Sequence, residues 1–171
     1  MKKITLIISM ITLCVGFSSN ASAQVTASAP TTATVVAPIS IVKATDMSFG
    51  NVAVSSTLGT AVLAPAGTRT TTGGVTLPAT AGTVSAASFT VGGDSNYTFI
   101  ITLPTTDFTL TKATTLETMI VNAFTSTPSG TGTLVTGAAT VLVGATLNVS
   151  ASQVAGLYAN AAGFPVTVNY N

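Results

Sequence analysis

Few residues in this sequence could do chemistry. The chain has no histidine, a single cysteine at Cys14, and four carboxylates: Asp46, Asp94, Asp107 and Glu117. Nucleophile–histidine pairs and Cys/His zinc sites are therefore out of its reach. What remains is paired-carboxylate chemistry, which needs two acids about 5–10 Å apart across a substrate. Asp94 and Asp107 both lie beside turn signals, where aspartate commonly bonds nearby backbone, so they are read as turn residues and the chain as no enzyme. Gly92-Gly93-Asp94-Ser95-Asn96 lacks the spaced acidic ligands and closing glutamate of a calcium loop. No helix is expected after Gly73-Gly74 to complete a phosphate cradle. No cofactor and no metal is expected.

The elements around these residues begin with an export signal. Met1-Lys2-Lys3 precedes an apolar run from Ile4 to Phe17, then Ser18-Ser19-Asn20-Ala21-Ser22-Ala23. A short basic region, a short apolar core and an A-x-A site make a cleaved secretory signal over residues 1–23. A transmembrane anchor needs roughly 20 apolar residues, and no stretch of the chain supplies them. Cys14 follows Ile11-Thr12-Leu13 rather than small residues, so lipid attachment is not expected. The product is then periplasmic, extracellular or at the cell surface, and holds itself together without a disulfide. Beyond the signal, Lys43, Arg69 and Lys112 face four carboxylates, a net charge of −1. A nucleic-acid surface needs a basic patch that releases counterions, and there is none. The abundance of Val, Thr and aromatic residues separates the chain from disordered sequences of low charge.

Thr, Val, Ala, Gly and Ser dominate, a composition that favours strands and turns. Apolar residues recur at period two in short pieces, and no segment sustains helical spacing. In the first piece Val25, Ala27, Ala29, Ala33, Val35, Ala37, Ile39 and Ile41 share one face, interrupted by Pro30 and Pro38. This predicts an extended leader over 24–34 and a single domain over 35–171, with a first strand near Val35–Val42. Further strands are predicted at Met47–Val52, Ala61–Leu63, Thr70–Leu77, Ser88–Val91, Tyr97–Leu103, Phe108–Leu110, Met119–Phe124, Thr133–Val135, Thr140–Val143, Thr146–Val149 and Phe164–Tyr170. Gly144 reads as a turn, and Leu116–Asn122 could instead form a helical turn. Many short strands between turns indicate a sandwich or small barrel. The absence of a fixed repeat argues against a solenoid, and the absence of aromatic girdles against an outer-membrane barrel.

Several stretches together resemble a family of uncharacterised bacterial secreted domains. They are Met47-Ser48-Phe49-Gly50-Asn51-Val52, Gly67-Thr68-Arg69 with Gly73-Gly74-Val75, Tyr97-Thr98-Phe99-Ile100-Ile101-Thr102-Leu103-Pro104, and Gly156-Leu157-Tyr158 followed by Gly163-Phe164-Pro165-Val166-Thr167-Val168-Asn169-Tyr170. The loose Ala159–Ala162 link departs from that family's shorter spacer. The family is similar to spore coat protein U and to chaperone–usher pilin subunits. This implies an immunoglobulin-like antiparallel β-sandwich, with Phe164, Val166, Val168 and Tyr170 inward on the last strand. It also implies subunits that lack one strand and take it from a neighbour by strand addition. The alternation Val25, Ala27, Ala29 suits such a donor; the residues themselves favour the frayed start of the first strand or a disordered leader, because small Ala side chains bury little area. The leading expectation is a structural subunit of the bacterial surface, pilin-like or coat-like, whose partners are copies of itself or related subunits and a periplasmic chaperone. The alternative is a stand-alone secreted binding or matrix module without strand exchange.

Overall fold

Most of the period-two segments rich in β-branched and aromatic residues form strands here. A computed structural model describes residues 23–171, so the signal reading of residues 1–23 falls, but for Ala23, outside the described residues. Among the described residues there is no helix, and the strands are β1 (Ser40–Thr45), β2 (Ala53–Leu63), β3 (Arg69–Thr76), β4 (Ala87–Gly92), β5 (Thr98–Thr102), β6 (Phe108–Lys112), β7 (Thr118–Thr127), β8 (Thr131–Thr133), β9 (Ala138–Val149), β10 (Tyr158–Ala159) and β11 (Thr167–Tyr170). They lie within one unit, Val35–Asn171. Residues 23–34 form no strand, and their side chains are exposed.

All strand pairs are antiparallel. The larger sheet runs β1-β4-β9-β7-β6-β10, with β2 joined to β9 and β3 to β2; the smaller runs β11-β5-β8. Strand β9 is the spine. Its first half, Ala138–Val143, pairs with β4, and Ala145–Val149 pairs with β2 along the same side. Gly144 stands at the changeover, where a Cβ would come 2.1 Å from the Leu63 carbonyl oxygen. The sequence reading of a turn at Gly144 is thus corrected. The ladder runs through it, because β7 keeps pairing on the other side at Gly144 and Val143, and glycine serves close approach instead of reversal.

Two apolar clusters hold the layers. One lies within the curled part of the larger sheet and contains Phe49, Leu63, Val75, Met119, Val121, Leu147 and Val149. In the other, Phe99, Ile101, Leu134 and Val168 meet Phe89, Val91, Val141 and Val143 of the larger sheet. Met47 and Phe124 pack against both. Phe99 is fully buried and rests on Gly132, its partner across β5–β8, where a Cβ would stand 2.4 Å from the ring. The fold is the expected all-β antiparallel sandwich.

Three local expectations are corrected. The first strand begins at Ser40 rather than near Val35, since Pro38 has no N–H and the Ala37 amide goes to the Asp94 carboxylate at 3.2 Å. Met47–Val52 makes one isolated bridge, Ser48 to Ser85, because the Arg69 guanidinium takes the carbonyls of Phe49 and Asn51 at 2.5 and 2.8 Å. Leu116 adopts a φ of 65° in the turn before β7, so no helical turn forms there.

Candidate assembly surface

A sheet edge offers unpaired main-chain groups to another chain unless something blocks it. Most edges of this sandwich are blocked. On β3, Gly73 has a φ of 62° and sits against the excursion of β2 between Val54 and Gly59. On β1, the register breaks between Lys43 and Thr45, beside the Lys43–Asp46 ion pair of 2.5 Å. Strand β8 has three residues, and β10 covers part of β6. Strand β11 is different: it pairs with β5 in unbroken register from Thr167–Thr102 to Tyr170–Phe99, and carries no charged residue and no proline.

The geometry of that edge follows from the ladder. Asn171 donates its N–H to the Thr98 carbonyl at 3.1 Å. Bonded residues alternate along an antiparallel pair, so Asn169 and Thr167 also turn their polar groups toward β5. Val168 and Tyr170 turn theirs the other way, and among the described residues no strand pairs with them. The side chains of the same stretch line the second cluster: Val168 is buried, and Phe164, Val166 and Tyr170 are half-buried against it. Phe164 makes edge contacts with Phe89 at 6.3 Å and Phe108 at 6.2 Å. Ile39 and Ile41 of the β1 segment are half-buried against the same cluster. An unpaired backbone edge therefore lies over an apolar row.

At the end of β11, the Tyr170 hydroxyl accepts the Asp94 N–H at 2.8 Å and donates to the Ala37 carbonyl at 2.8 Å. Asp94 Oδ2 accepts the Ala37 N–H at 3.2 Å, and its Oδ1 accepts the Ser95 N–H. The hydroxyl fits because residue 93 is glycine; a Cβ there would be 2.3 Å from it. Tyr97 flanks the ring at 5.5 Å. This arrangement escaped the sequence reading, which assigned Asp94 to its own turn. A tyrosine in the inward register of the last strand was the available signal, since its hydroxyl needs a partner.

The other carboxylates have separate partners. Asp107 accepts from Asn122, which in turn accepts from Asn148. Glu117 accepts from the Thr115 hydroxyl. That hydrogen bond holds the Glu117 carboxyl below the usual carboxylate range; desolvation opposes the shift, and the residue's own backbone N–H and Lys112 add to it. Among the described residues no three His, Cys, Asp or Glu side chains converge as metal ligands. Val25, Ala27 and Ala29 are exposed and in no strand. Among the described residues no helix is long and apolar enough to cross a membrane.

Fold and edge together define an antiparallel β-sandwich whose last strand is open on one side. The chain belongs to the family described as Domain of unknown function (DUF4402), whose model matches residues 39–170. No curated protein and no solved structure matches it.

Proposed function

We propose that this protein is a structural subunit of the bacterial surface, pilin-like or coat-like, that assembles with copies of itself or related subunits by strand addition to β11. The observation that carries the reading is the edge of β11, which has regular register, no charge and an apolar row beneath it. An added strand would satisfy the main chain of Val168 and Tyr170, and its alternate side chains would enter the row. Val25, Ala27 and Ala29 supply small apolar side chains at that period. The basic and apolar N-terminal sequence supports export, and a periplasmic chaperone is the partner that would shield such an edge beforehand. No catalytic step enters the proposal.

A second reading is a self-sufficient module. It draws on the fully buried Phe99, Leu63 and Leu134, which indicate that the body has a core of its own. Light scattering coupled to size exclusion separates the two. Under strand addition the intact protein is oligomeric, and deleting Gln24–Pro30 leaves a monomer that gains thermal stability when the matching peptide is added. A folded monomer indifferent to the deletion would overturn strand addition and leave the stand-alone module.

A further inference from the structure

We infer that a neutral groove at the end of β9 binds an uncharged sugar ring, with Asn148 Oδ1 held as its acceptor through Asn122 and Asp107. The groove is independent of the β11 edge, since no residue lining it lies on β5, β8 or β11. It opens where three strands part. Strand β2 pairs with β9 as far as Gly59–Val149, and β7 as far as Ile120–Asn148. Beyond those pairs β2 departs into its excursion, and β9 gives way to Ser150-Ala151-Ser152, with the Ser152 N–H bonded to the Ser55 carbonyl at 2.8 Å. Leu147 and Val149, Met119 and Val121, and Gly59 and Ala61 are buried. The residues between them, Asn148, Ile120 and Thr60, therefore stand on the outer face. With Leu58, Thr118 and Ser150 they line a groove of about 380 Å³, within the roughly 300–1,000 Å³ usual for small-molecule sites.

The direction of the hydrogen bonds is set from one end. An ionised carboxylate only accepts, so Asn122 must turn its Nδ2 toward Asp107 Oδ1, at 2.9 Å. Its Oδ1 then faces Asn148, which donates from Nδ2 at 2.9 Å and shares that nitrogen with the Ile120 carbonyl at 3.3 Å. Asn148 Oδ1 is left as a fixed acceptor with no partner among the described residues. The exposed Thr118 and Ser150 hydroxyls beside it can each donate or accept. This set suits the hydroxyls of a sugar, and the aliphatic Leu58 and Ile120 suit the C–H face of its ring. A charged ligand would find no counter-charge, because no charged side chain lines the groove, and its desolvation would go uncompensated. With no aromatic ring in the lining, affinity rests on hydrogen bonds and is modest, a Kd on the order of 1 mM.

The test is saturation-transfer NMR on the full chain, which works in any oligomeric state. Maltotetraose, cellotetraose and N-acetylchitotetraose are the neutral probes, and a galacturonate tetramer is the charged one. At least one neutral probe should show transfer at about 5 mM, and the galacturonate none. Thr118→Val and Ser150→Ala should each raise the Kd of that probe about two- to tenfold, the net worth of one hydrogen bond. Asp107 lies outside the groove lining, yet Asp107→Ala should weaken binding by a similar factor with the urea midpoint kept, because Asn122 and Asn148 can then turn over. Asp107→Asn, whose amide oxygen still accepts from Asn122, should restore it. No transfer from any neutral probe, equal transfer from the galacturonate, or a Kd indifferent to both Thr118→Val and Ser150→Ala would overturn the site. Unchanged binding by Asp107→Ala would overturn the fixed acceptor on which the inference stands.

Discussion

Single side chains in this protein act chiefly by satisfying backbone. Arg69 does so for Phe49 and Asn51, Tyr170 for Ala37 and Asp94. Gly93 is the position on which the second arrangement depends. Gly93→Ala should displace the hydroxyl and cost about 0.5–1.5 kcal/mol in urea unfolding, the net worth of an ordinary hydrogen bond that water can partly replace; an unchanged midpoint would show that the hydroxyl bonds carry no stability. Glu117 offers a test of sign. Its carboxyl titrates below the ordinary range in the folded protein, first because of the Thr115 hydroxyl. The resulting stabilisation is fully present above the ordinary carboxylate pKa and fades as pH falls from there through the lowered folded value. Thr115→Val should raise the Glu117 midpoint in an NMR titration and reduce that acid-side slope. A midpoint that stays low would assign the shift to the backbone N–H and Lys112 instead.

At the level of elements, β9 organises the sandwich and β5 closes it. Gly144→Val should be among the most damaging single changes, since its side chain would drive β2 from β9 at Leu63. Phe99→Ala should cost about 3–5 kcal/mol by emptying a fully buried site, read as a lower urea midpoint with the slope retained. Much of this layout was legible: alternation in Ser88–Val91, Phe108–Leu110 and Met119–Phe124 marks strands found within β4, β6 and β7. What was not legible has a common cause, the partner across the sheet. Gly144 looks like punctuation in one dimension, and only the neighbouring Leu63 reveals it as a contact. Val35 looks like the first residue of a strand, yet it is 95% exposed, because Ala37 is diverted to a carboxylate 57 residues away. The open edge of β11 was likewise invisible, since pairing on one side only is a property of topology.

For the whole molecule, the sparse charge is informative about how copies could meet. Beyond residue 23 the net charge is −1, and β11 and its neighbour β5 carry no charged side chain. Exposed apolar-lined edges are usually kept apart by charge, especially lysine; Lys43 stands on β1, whereas β11, like β8 and β10, carries no charged side chain, which is compatible with the proposed strand addition. Association through main-chain bonds and apolar burial should depend weakly on ionic strength, because screening acts on separated charges. The association constant should therefore change by less than about threefold between about 0.05 and 0.5 M salt. Asn169 turns its exposed side chain away from the apolar row, so Asn169→Lys adds a charge to the edge without entering the core. That variant should unfold within about 0.5 kcal/mol of the natural protein yet lose most of its assembly by sedimentation. Equal assembly by Asn169→Lys would place the contact between copies on some surface other than β11.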